Sequence, residues 1–82
     1  MNFNEIETKS YRQYFGGGRF YDNVDEYTYT TDKSLNIGEI NKVLEDAGKY
    51  LWGEITYIKK QLSKAGRVIG YKHIVKVAMS PN

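Results

Sequence analysis

Residues 36–66 read NIGEINKVLEDAGKYLWGEITYIKKQLSKAG, and the fold turns on how this stretch is divided. Asn36 stands three residues before Glu39, the spacing at which each side chain caps the other's backbone amide, and Leu35 can staple onto Ile40 across that cap. A helix starts here. Apolar residues then recur at Ile37, Ile40, Val43, Leu44, Ala47, Leu51, Ile55, Ile58, Leu62 and Ala65, the three- and four-residue steps of one helical face, and Gly66 ends the run. The acids Glu39, Glu45 and Asp46 fall early and Lys59, Lys60 and Lys64 fall late, in keeping with the helix dipole. A single rod would be about 43 Å long at 1.5 Å per residue. A compact domain of 82 residues has a radius of gyration near 12 Å, so a break at Gly48 is expected. The reading predicts two helices, over 36–47 and 50–65.

Outward from this stretch the pattern changes. Arg67–Met79 is rich in β-branched residues, with Ile69, Tyr71, Val75, Val77 and Met79 on one face and Lys72, Ile74 and Lys76 on the other; it predicts a basic strand or hairpin with a bulge at Gly70. Alternation from Val24 to Thr31 predicts a strand with Tyr27 and Tyr29 on one side and Glu26, Thr28 and Thr30 on the other. Residues 2–14 are open: Asn2 with Glu5, or Asn4 with Glu7, has capping-box spacing, and Phe3, Ile6 and Tyr14 could share a helix face, yet the segment is weakly apolar. Gly16-Gly17-Gly18 marks a loop, and no Gly-Lys-Ser/Thr follows to make it a phosphate cradle. The expected fold is α+β, a single domain over residues 1–82 with two helices packed on a small antiparallel sheet.

Composition narrows the chemistry. With no Cys and one His among 82 residues, disulfides are excluded and a zinc site lacks ligands. The longest apolar runs, Tyr50–Trp52 and Val77–Met79, are three residues, and the N-terminus lacks a basic-then-apolar leader, so a cytoplasmic protein is expected. Asp22, Asp25 and Glu26 lack the length and central glycine of a calcium loop and read as a solvated acidic turn. His73 reads as a hydrogen-bonded structural or rim histidine. No nucleophile and base can be paired, so binding rather than catalysis is expected, with no metal and no cofactor.

Charge supplies the first functional signal. All ten acids lie within residues 1–58, where they face six bases; from Lys59 onward there are six bases and no acid. Such a segment suits an anionic partner. On the second predicted helix, Trp52, Thr56, Lys60, Ser63 and Lys64 face away from the apolar stripe with Tyr57 and Lys59 at the flanks, an arrangement of hydroxyls, aromatics and lysines suited to a DNA groove. Glu39-Ile40 with Leu44, a glycine turn, then Ile55, Leu62, Ala65-Gly66 and Val68 resembles the second helix, recognition helix and first wing strand of winged helix-turn-helix DNA-binding domains, over residues 36–77. The resemblance implies a winged-helix-like fold. It also implies that Thr56 and Tyr57 approach bases, that Lys59, Lys60, Lys64 and Arg67 serve the recognition helix and its exit, and that Lys72 and Lys76 hold a second phosphate track.

Tyrosine supports a different partner. Eight tyrosines in 82 residues is a large store of contact area at low entropic cost. Tyr11, Tyr14, Arg19 and Tyr21 flank the glycine loop and Tyr27 and Tyr29 sit on the strand beyond it, a set that could bind a host protein or nucleoprotein complex. In size and style the chain is similar to the small inhibitors encoded by phages and mobile elements, anti-CRISPR proteins among them. Nucleic-acid binding leads, with this inhibitor reading as the alternative.

Overall fold

The computed structural model describes residues 3–14 and 21–79. Four strands and one helix follow in the order β1 (Ile6–Tyr14), β2 (Tyr21–Thr31), α1 (Ile37–Asp46), β3 (Glu54–Lys64) and β4 (Arg67–Met79). The strands form one sheet in the spatial order β1-β2-β4-β3, antiparallel throughout. Two hairpins are thus joined side by side through β2 and β4, with α1 as the crossover between them. No helix among the described residues is long and apolar enough to cross a membrane.

The first predicted helix forms as its ends dictate. Asn36 Oδ1 accepts from the Glu39 amide at 2.9 Å and the Asn36 amide donates to Glu39 Oε1 at 3.0 Å. At the other end Gly48 adopts φ +77°, its amide donates to Glu45 O at 2.9 Å, and the Lys49 amide donates to Leu44 O at 2.8 Å. That is the Schellman arrangement, and a left-handed residue is what it needs.

The second helix, expected over 50–65, does not form, and with it the two-helix, winged-helix-like arrangement is overturned: Glu54–Lys64 is strand β3. The run Ile55-Thr56-Tyr57-Ile58 is β-branched or aromatic at every position, and such side chains lose rotamer freedom in a helix but pack well on a pleated surface. Ala65 and Gly66, read as a helix end, have φ of +53° and +76° and make a two-residue turn of the primed type, which closes the β3–β4 hairpin. The apolar spacing was coincidental. Ile55 lies on one face of the sheet and Ile58 and Leu62 on the other. Within residues 2–14, whose pattern is open, Ile6–Tyr14 forms β1 rather than a helix; Gly16-Gly17-Gly18 lies outside the described residues.

One face of the sheet carries the core. Cross-strand register puts Tyr27 opposite Val75 and Val75 opposite Tyr57, with His73 and Val77 on the same side, and α1 lays Ile40 and Leu44 over them. Ile40, Leu44, His73 and Val75 are fully buried. Ile6, Tyr29, Leu35 and Leu51 pack around the margin. The opposite face has no helix over it among the described residues, and Val24 is its buried apolar position.

Candidate nucleic-acid interface

Residues directly opposite on antiparallel strands share a face, so the register sorts the eight residues expected to touch nucleic acid. Thr56 faces Lys76, Lys60 faces Lys72, and Lys64 faces Arg67, all on the open side. Tyr57 and Lys59 point to the helix side. Two strands, rather than the expected helix and wing, bring six of the eight together.

Arg67 owes its place to an irregularity. Leu62 pairs with Gly70 but Ser63 pairs with Val68, so Ile69 is an extra residue on β4. An extra residue reverses the alternation beyond it. Without it Arg67 would point to the helix side, away from Lys64. The bulge lies one position from Gly70, where sequence reading expected it.

Two facing pairs of like charge are unfavourable on a sheet by a few tenths of a kcal/mol or more each. No acid stands on β4 or after Glu54 on β3, and among these cations the ion pair that forms is at Lys76; the acids at this end of the sheet, Glu5 and Asp32, belong to the chain before β1 and after β2. Lys76 Nζ lies 3.7 Å from Glu26 Oε1. The remaining four cations are aligned along the hairpin. β2 pairs with β4 only as far as Tyr71, and Gly70 is still buried against Thr31 O and Phe3, so the hairpin projects as a two-stranded ribbon over residues 63–69. Residues 63–69 are all exposed.

The helix-side residues are committed to structure. Lys59 Nζ donates to Ser34 Oγ at 2.8 Å. Tyr57 Oη lies 3.0 Å from Leu35 O and 2.8 Å from His73 Nδ1, so its hydroxyl is not offered to bases. His73 Nε2 in turn lies 2.8 Å from Thr31 Oγ1, which donates to Lys33 O at 2.6 Å. Burial, then the nearby Lys59 charge, lowers the His73 pKa, opposed by the Lys33 carbonyl; burial, then Glu39, raises that of Tyr57. His73 is therefore structural, and interior rather than at a rim.

The tyrosines of the alternative reading do not make one surface. Tyr27 is 4% exposed, in the core, with its hydroxyl 3.3 Å from Tyr50 O. Tyr29 is half-buried on the same face and reaches Asn4 Oδ1 at 3.2 Å. Tyr11 lies on the open face, with Lys9 Nζ 5.7 Å from its ring centroid, whereas Tyr14 lies on the helix side. Arg19 and the Tyr21 side chain are outside the described residues. The acidic residues are also dispersed: Asp25 accepts from Ser10 Oγ at 2.7 Å on one face while Glu26 pairs with Lys76 on the other. Among the described residues no cluster of His, Cys, Asp and Glu could hold a metal.

A different aromatic group is exposed. Tyr50 and Trp52, in the link from α1 to β3, are 63% and 74% exposed and meet edge to face at 6.3 Å between centroids. Their spacing of two, after a glycine cap and before a β-branched run, was the available signal; helical periodicity hid it. Comparison with protein-family models, with curated proteins and with solved structures finds no match to the chain.

Proposed function

We propose that this chain is a non-enzymatic nucleic-acid-binding module that contacts its ligand through the β3–β4 hairpin. The observation that carries the reading is the alignment of Lys60, Lys72, Lys64 and Arg67 as two facing pairs on one side of a hairpin with no acid after Glu54. An arrangement that repels itself in the free protein is relieved when phosphates lie between the charges. Fluorescence anisotropy with a labelled duplex tests it. Two phosphate contacts, from Lys60 and Lys72, give a slope of log affinity against log salt of about −1.8, steepening to about −3.6 with all four cations on phosphate. Lys60→Glu with Lys72→Glu should abolish binding while the fold survives. Binding that is absent at low salt, or indifferent to salt, refutes the reading.

Tyr50 and Trp52 favour a second reading, in which the partner is a protein such as a component of a host complex. Exposed Trp and Tyr are the residues that most often anchor protein interfaces. A partner retained after nuclease treatment and lost with Trp52→Ala would support this reading in place of the first.

A further inference from the structure

We propose that the ligand of the hairpin is B-form duplex DNA and that the projecting ribbon enters its major groove, an inference that rests on the nucleic-acid reading above. The argument is one of dimensions. Two paired strands are separated by about 4.8 Å, and with side chains they fill a groove about 12 Å wide. The body of the protein cannot do so, since its two smaller extents are 28 and 18 Å. Among the described residues the stretch 63–69, where nothing accompanies the two strands, is narrow enough.

This division assigns different roles to the two cation pairs. Lys64 and Arg67 lie at the end of the ribbon and go into the groove, where a guanidinium can bridge guanine O6 and N7. Lys60 lies four residues back from Lys64, and Lys72 five back from Arg67 because of the bulge, about 13 Å at 3.3 Å per paired residue, at the mouth of the groove where the phosphates run. The bulge at Ile69 is what turns Arg67 to the side that Lys60 and Lys72 occupy.

Other nucleic acids fit less well. The major groove of A-form RNA is too deep and narrow for side chains to read. Single strands are held by stacking successive bases on several aromatic side chains; Tyr57 and Tyr71 of this hairpin point to the helix side, and the aromatic ring beside the cations is that of Phe3, against Gly70.

The test uses the full chain at one fixed salt concentration. Affinity is measured for a 20-bp DNA duplex, for its separate strands and for an RNA duplex of the same sequence, with methyl green as a major-groove competitor and netropsin as a minor-groove one. The DNA duplex should bind at least about tenfold more tightly than either of the others, and methyl green but not netropsin should compete. Lys64→Glu with Arg67→Glu should reduce duplex affinity at least about tenfold with the melting transition retained, since both side chains are exposed. Equal affinity for the three nucleic acids, preference for the single strand or RNA, competition by netropsin, or an unaffected double variant overturns the groove assignment and leaves nucleic-acid binding standing. Absence of binding to all three overturns both.

Discussion

Replacing Tyr57 by Phe removes one oxygen and retains the ring. That oxygen lies 2.8 Å from His73 Nδ1 and 3.0 Å from Leu35 O, and the imidazole it serves is fully buried. A buried polar atom left without a partner costs about 1–3 kcal/mol, more than the net gain of an average hydrogen bond, because its desolvation is no longer compensated. A domain of 82 residues is stable by roughly 4–12 kcal/mol, so the loss is a substantial part of the whole and raises the unfolded fraction about 5- to 150-fold. Urea unfolding followed by circular dichroism measures it, with the midpoint falling and the slope unchanged. Tyr29→Phe is the control, since its hydroxyl donates to Asn4 Oδ1 at 3.2 Å in an exposed position, where water replaces it; its cost should be below about 0.5 kcal/mol. If Tyr57→Phe also costs less than about 0.5 kcal/mol, the buried network does not hold β3 to the chain entering α1 as described. Nucleic-acid binding should be unchanged, because this hydroxyl is on the helix side.

Three further expectations come from the same geometry. Ala65 occupies φ +53°, where a Cβ is strained, so Ala65→Asn, which creates the preferred Asn-Gly turn, should stabilise the hairpin by about 0.5–1 kcal/mol in thermal or urea unfolding. A Cβ at Gly70 would lie 2.8 Å from Thr31 O and 2.9 Å from Phe3 Cε1; the strand carbonyl cannot withdraw as a side chain can, so Gly70→Ala should cost about 1–3 kcal/mol, and an unchanged urea midpoint would contradict the close approach. The lowered pKa of His73 means that the unfolded chain binds a proton more readily than the folded one, so its contribution to stability is complete above the ordinary histidine value of about 6.5 and is lost as pH falls through the folded value. NMR titration of this single imidazole should give a midpoint below that ordinary value; one at or above it contradicts the assignment.

The parts of the fold that were legible in sequence are those specified locally. The capping box at Asn36 and the glycine cap at Gly48 bound a helix without reference to anything distant, and the alternation of residues 24–31 and 67–79 was visible because one face of each strand is apolar. β3 was misread because it is an edge strand of the open sheet, with apolar residues on both faces, and its Ile55, Ile58 and Leu62, with Leu51 of the preceding link, happened to fall at helical intervals. The turn at Ala65-Gly66 could have corrected this, but Ala at a left-handed position disguised a primed turn as a helix end. Strand register brings five of the expected cations onto one face and puts Lys59 on the other. Lys60, Lys64, Arg67, Lys72 and Lys76 share a face because of strand register and one bulge, neither of which composition could reveal; conversely, Tyr27 looked like a surface anchor and proved to be core because α1 covers it.

The contacts around His73 also impose a count of protons. Four short contacts join Thr31, His73 and Tyr57 to the carbonyls of Lys33 and Leu35, yet two hydroxyls and a neutral imidazole own only three protons between them. With the proton on Nε2, Thr31 accepts from the ring and passes its own proton to Lys33 O, while Tyr57 spends its proton on Nδ1 and releases Leu35 O. With the proton on Nδ1 the roles reverse, and Lys33 O is released. The two tautomers therefore secure opposite ends of the link that carries the chain from β2 into α1. An imidazolium would supply the fourth proton and secure both ends at once. Acid thus tightens this link locally, even as the charge it places beside Lys59 in the interior weakens the fold as a whole.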